Sequence, residues 1–161
     1  MNHNKVIAGS KIPDFSLPST SGKDVLLPNL QNRKVILFIY PKDQSSTCTK
    51  QALEFDKNLN LFRKLNTDVY GVSKGSIESK KNFIKKHNLR IELLADDNLG
   101  FIKAIGAWKE KTMYGKKFMG IERTSILISE KGNILKIWRK VNFIRNIDDI
   151  IQVLKSDELA T

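Results

Sequence analysis

Cys48 is the single cysteine of the chain, and hydroxyl side chains crowd it: Ser45, Ser46 and Thr47 before it, Thr49 just after. A thiolate is the strongest nucleophile such a segment can offer, and the hydroxyls can hydrogen-bond an anion or a polar substrate beside it. Pro41, upstream, fixes the backbone and helps to keep water from the sulfur. A lone cysteine is more often a small buried hydrophobe than a nucleophile, so its setting has to decide. One cysteine excludes an intrachain disulfide, a Cys-x-x-Cys pair and a multi-cysteine zinc site. His3 and His87 lie far apart, with no second ligand type at a useful spacing, so no metal site is expected.

The elements around Cys48 favour reactivity. Val35-Ile36-Leu37-Phe38-Ile39-Tyr40 is a continuous apolar run, which predicts a central strand buried on both faces and ended by Pro41. After the loop 41–47, Ala52, Phe55, Leu59 and Phe62 recur at helical spacing. Counting back from Ala52 puts Cys48 on the inward face of the first turn, with Ser46 or Thr47 as the expected N-cap. Backbone N–H groups and the positive end of the helix dipole then point at the sulfur, which favours thiolate over thiol.

The rest of the chain alternates in the same way. Phe15–Leu17 and Val25–Leu27 flank a turn-like Ser19-Thr20-Ser21-Gly22 and predict a hairpin. Val69–Val72 and Leu93-Leu94 are further strands. Between them a helix carries Ile77, Phe83 and Ile84 inward, with Lys80, Lys81, Lys85 and Lys86 expected on its wet flanks. A short helix is expected near Leu99–Ile105, then an irregular stretch from Trp108 to Gly120. The runs Ile121–Ile128 and Ile134–Trp138 predict a second hairpin, and Asn146 is the expected cap of a last helix. Strands alternating with helices, then a hairpin and a closing helix, predict an α/β fold of thioredoxin-like order. It would have a mixed sheet sandwiched by helices and an N-terminal β-hairpin.

With 161 residues the chain is expected to form one domain over 1–161, with residues 1–8 flexible. The longest apolar run falls far short of the ~18 residues of a membrane span. The N-terminus also lacks the apolar stretch of a signal peptide, so the expected address is cytoplasmic. The net charge of +11 suggests an anionic partner. Yet 22 of the 28 basic residues are Lys spread along the chain, which favours a solvated basic surface over a nucleic-acid reader.

The segment Pro41-Lys42-Asp43-Gln44-Ser45-Ser46-Thr47-Cys48 resembles the active-site loop of the peroxiredoxins, Pro-x-x-x-Thr/Ser-x-x-Cys. Ile12-Pro13-Asp14-Phe15-Ser16-Leu17-Pro18, Tyr40-Pro41-Lys42-Asp43, Tyr70-Gly71-Val72-Ser73, Met113-Tyr114-Gly115 and Met119-Gly120-Ile121-Glu122-Arg123-Thr124 are similar to one branch of that family. That branch is the bacterioferritin comigratory protein, or PrxQ, group. The likeness runs from about Gly9 to Leu154.

The resemblance implies a thiol-dependent peroxidase that needs no cofactor. Cys48 would be oxidised by hydrogen peroxide or an organic hydroperoxide to a sulfenic acid. Ser45 would orient the peroxide, Arg123 would stabilise the thiolate and the leaving oxygen, and Pro41 would shield the sulfur. Four departures from the family pattern stand out: Ser46-Thr47 replaces Pro-Gly, Gln51 replaces Glu, and Leu53 and Ile84 stand where members keep a resolving cysteine. The resemblance is therefore to the 1-Cys type, with an external thiol (thioredoxin, glutaredoxin or glutathione) as reductant and a monomer as the expected state. Two rival readings are a basic nucleic-acid-binding module in which Cys48 is only structural, and a cysteine hydrolase with His87 as its base.

Overall fold

The apolar runs become the strands of one mixed sheet in a computed structural model that describes residues 6–28 and 32–160. A short hairpin comes first, β1 (Phe15–Leu17) antiparallel to β2 (Val25–Leu27). Then follow β3 (Lys34–Ile39), α1 (Ser46–Lys57), α2 (Leu59–Lys64), β4 (Thr67–Ser73), α3 (Ile77–His87), β5 (Glu92–Ala95) and α4 (Gly100–Ala104). The C-terminal part runs β6 (Trp108–Met113), β7 (Lys116–Ile121), β8 (Thr124–Ile128), β9 (Ile134–Trp138) and α5 (Phe143–Ala160). The central sheet has the order β5-β4-β3-β8-β9. Its β3, β4 and β5 are parallel, while β8 and β9 join antiparallel. This is the mixed α/β architecture expected from the sequence.

Period-two alternation on β3 divides the interior into two cores. Ile36, Phe38 and Tyr40 face α1, α2, α3 and α5, in a cluster with Cys48, Phe55, Phe83 and Ile150. Val35, Leu37 and Ile39 face the other way, toward α4 and the N-terminal hairpin, in a cluster with Ile12, Leu17, Leu27 and Phe101. The first core seats the cysteine-bearing helix. The Phe55 ring of α1 stacks on the Phe38 ring of β3 with centroids 4.3 Å apart. Phe38 lies opposite Gly71 of β4, where a Cβ would come within 2.6 Å of the ring and 2.8 Å of Leu93. Gly71 is thus an empty slot that lets the ring lie flat against the sheet.

Several expectations are corrected. The helix expected through Phe62 breaks at Asn58, whose side-chain amide donates to Glu54 O at 2.9 Å and competes with helical bonding there. The stretch expected to be irregular, 108–120, is the β6–β7 hairpin, closed by Tyr114-Gly115 with φ of 53° and 76°. Most of its residues are at least partly exposed on both faces, so no apolar alternation marks it in the sequence. Ile121 closes β7, and β8 begins only at Thr124. Asn146 does not cap α5. Asn142 accepts from Ile144 N–H at 3.1 Å at the helix start, and Asn146 turns inward to accept from Ser125 Oγ at 2.6 Å. Of the tail expected to be flexible, residues 1–5 lie outside the described residues. Val6 is buried, and Gly9 N–H donates to Ile134 O at 2.8 Å. Among the described residues, no helix is long and apolar enough to cross a membrane.

The seat of α1 gives a direct test. Gly71→Ala forces Phe38 and Leu93 to move and should cost about 1–3 kcal/mol of stability. Adding Phe38→Leu should recover part of that loss. An urea-unfolding midpoint unchanged by Gly71→Ala would show that the slot is not tight.

Candidate active site

Ser45, not Ser46 or Thr47, caps α1. A cap needs extended backbone and a side-chain oxygen near the N–H of the third helical residue. Ser45 has φ −64° and ψ 155°, and its Oγ accepts from Cys48 N–H at 3.3 Å. Ser46 and Thr47 are already inside the first turn. Cys48 sits there facing the core, only 1 % exposed. The helix start therefore meets the sulfur with its positive end.

Arg123 comes to the same sulfur from the far side of the chain. It lies in the connection between β7 and β8. That connection is pinned by Glu122 N–H on Ala107 O at 2.7 Å and by Val141 N–H on Arg123 O at 3.0 Å. Arg123 Nη2 donates to Cys48 Sγ at 3.4 Å, and Nη1 donates to Gln51 Oε1. These bonds, rather than a surface ion pair with Glu122, occupy the guanidinium. Gln51 is fully buried one helical turn beyond Cys48, and its amide oxygen orients Arg123 without adding a negative charge. Its Nε2 has no hydrogen-bond partner among the described residues.

The loop that brings Pro41 and Ser45 to the site is tied down through Asp43, 9 % exposed at its side chain. Asp43 Oδ1 accepts from Tyr40 OH at 2.6 Å and from Ser73 Oγ at 3.3 Å. Its Oδ2 accepts from Ser79 Oγ at 2.8 Å and from Lys80 Nζ at 3.2 Å. Lys80 was expected on a wet flank but is fully buried, and its Nζ also donates to Lys74 O at 2.8 Å. Three residues after Ile77 and three before Phe83, it falls on the inward face of α3, which is the signal a charge-based reading overlooks. Burial pushes its ammonium below the ordinary lysine value, against the pull of Asp43. Burial, then the Asp43 carboxylate, pushes the Tyr40 phenol well above its usual 10.0.

The structure thus brings Cys48, Ser45 and Arg123 together, with Pro41 half-buried at the head of the same loop. Gln51, Asp43 and Lys80 join them. Asp43 stands in the quoted loop motif and Gln51 among the departures from the family pattern, but the sequence shows the contacts of neither. Leu53 is 42 % exposed on α1 and Ile84 is partly buried on α3. His87, the only base a hydrolase reading offered, lies edge-on to Phe83 at the end of α3.

With this geometry in hand, the relatives are informative. Residues 8–137 match the model of the AhpC/TSA family. The chain belongs to that family. Within it, the relatives are peroxiredoxins of the Bcp type. The peroxiredoxin Bcp of Bacillus subtilis is 37 % identical over 147 residues, covering 91 % of this chain and 94 % of the relative. That of Escherichia coli is 33 % identical over 152 residues, covering 94 % and 97 %. A solved peroxiredoxin Q from Xanthomonas campestris superposes with a TM-score of 0.86 at 32 % identity, covering 92 % of this chain and 97 % of that one. The fold of this peroxiredoxin is therefore the thioredoxin-like one expected. Its relatives lend no support to the nucleic-acid module.

The Tyr40 shift has a sign that can be measured. Above pH 10.0 the unfolded chain loses the phenol proton while the folded chain keeps it, so the fold loses stability as pH rises past that point. Tyr40→Phe should start less stable at neutral pH, because it lacks the bond to Asp43, yet fall less steeply above pH 10.0. Parallel stability curves for the two chains would contradict the assignment.

Proposed function

We propose that this peroxiredoxin reduces hydrogen peroxide and organic hydroperoxides through Cys48, and that an external thiol restores it. The observation that carries the reading is the Arg123 guanidinium 3.4 Å from the Cys48 sulfur, at the capped start of a helix. Both features set positive charge against that sulfur. In the first step the thiolate forms an S–O bond to one peroxide oxygen and the O–O bond breaks. The sulfur becomes a sulfenic acid, and the departing oxygen leaves as water or an alcohol after taking a proton. Arg123 stabilises the charge that develops on that oxygen. Ser45 Oγ is engaged as an acceptor from Cys48 N–H, which leaves its own proton to donate to the peroxide and orient it. Pro41 shields the loop side of the sulfur.

The choice of organic as well as inorganic peroxide is supported by a bacterioferritin comigratory protein of Xanthomonas campestris. Its solved structures concern alkyl peroxide reduction, at 31 % identity and a TM-score of 0.86. With Cys48 the only thiol in 161 residues, the second step falls to another molecule: thioredoxin, glutaredoxin or glutathione. We place the enzyme in the cytoplasm, as a monomeric single domain.

Cys48→Ser should retain the fold, since the exchange is nearly isosteric, and lose peroxide turnover. Arg123→Ala and Ser45→Ala should each lower the rate of peroxide reduction by about 10²–10³, as for a lost oxyanion donor. Arg123→Lys should recover only part, because an ammonium cannot serve sulfur and Gln51 in one plane. Stopped-flow peroxide reduction measures all four. Turnover in Cys48→Ser above a few per cent of wild type would overturn the reading.

A further inference from the structure

The bonds that converge on Asp43 take no part in the peroxide step, yet they join the loop bearing Ser45 to three separate elements. Tyr40 holds Asp43 from the end of β3, Ser73 from the end of β4, and Ser79 and Lys80 from the first turns of α3. Lys80 is fully buried, and Asp43 is its carboxylate partner. A buried ammonium gives such a tie strength, because pulling Asp43 away strands a charge in the interior.

The two half-reactions need this loop in opposite states. A peroxide is small, and its reduction requires Ser45, Cys48 and Arg123 in register, which the closed loop supplies. The reducing thiol is larger and must approach the sulfur in line with the departing hydroxyl. In that step the incoming thiolate forms an S–S bond to Cys48, the S–OH bond breaks, and the hydroxyl takes a proton and leaves as water. A second molecule of the same thiol then frees Cys48 as the other disulfide leaves. Cys48 is 1 % exposed, with Arg123 across it, and the chain holds no second thiol that could act from inside. An external thiol can reach the sulfur only when the loop and the first turn of α1 open.

Resting on the peroxidase reading, we propose that Asp43 and Lys80 are positioning residues that latch the 41–45 loop to α3 and set the balance between the two half-reactions. Weakening the latch slows oxidation by peroxide and speeds reduction of the sulfenic acid by an external thiol. A merely structural pair would slow both or neither.

The test measures the two steps separately on the full chain: peroxide oxidation of the reduced enzyme, and glutathione attack on enzyme pre-oxidised with one equivalent of peroxide. Asp43→Asn is the stronger variant. Ser79→Ala is the milder one, since it removes one bond to Asp43 and leaves the ion pair in place. For Ser79→Ala we expect the thiol step to accelerate about three- to tenfold and the peroxide step to slow by a similar factor, as one charge-assisted bond is lost. Amide hydrogen exchange over residues 41–50 should quicken in parallel. If Asp43→Asn does not fold, Ser79→Ala alone decides. Absence of either half of the divergence in Ser79→Ala overturns the latch. A wild-type chain that does not consume peroxide overturns the peroxidase reading instead.

Discussion

An anionic sulfur inside a protein costs several kcal/mol unless a fixed positive charge lies against it. Here Arg123 Nη2 meets the buried Cys48 at 3.4 Å, and most of the local structure can be traced to that contact. The guanidinium must be delivered from a different part of the chain, so the β7–β8 connection is held on Ala107 and Val141. It must also be aimed, which is the role of the Gln51 amide one turn along α1. Because Gln51 is neutral, the guanidinium charge is left for the sulfur.

The helix that carries Cys48 has its own constraints. Phe55 fixes it against Phe38, and Phe38 fits only because Gly71 leaves space beside it on β4. The missing side chain of Gly71 on a neighbouring strand thus bears on where the sulfur lies. At the other end, Ser45 caps the helix while Asp43 ties the preceding loop to α3. Rigid placement on strands and helices suits a site whose reacting atoms must be held in register.

Much of this was legible in the chain. The run Val35–Tyr40 and the helical spacing of Ala52 and Phe55 announced the central strand and the inward face that holds Cys48, because burial writes a period into sequence. The parts that were not legible share a physical cause. The β6–β7 hairpin is largely solvent-exposed, so nothing selects an alternating pattern along it. Asn146 and Lys80 are polar side chains drawn into the interior by partners distant in sequence, Ser125 for one and Asp43 for the other. Long-range pairing leaves no local mark of the partner, although the spacing of Lys80 from Ile77 and Phe83 marks its inward face. Arg123 was found through its family motif. Its contact with the sulfur, 75 residues away in the chain, belongs to the fold alone.

The proposed mechanism makes Cys48 the whole redox centre. Intact mass after one equivalent of hydrogen peroxide, with no added thiol, tests it most directly. The expected product is a monomeric chain heavier by one oxygen, with the added mass on the peptide that contains Cys48, and return to the starting mass when thiol is supplied. Oxygen found on the methionines with Cys48 still alkylatable, or a covalent dimer through Cys48, would contradict it.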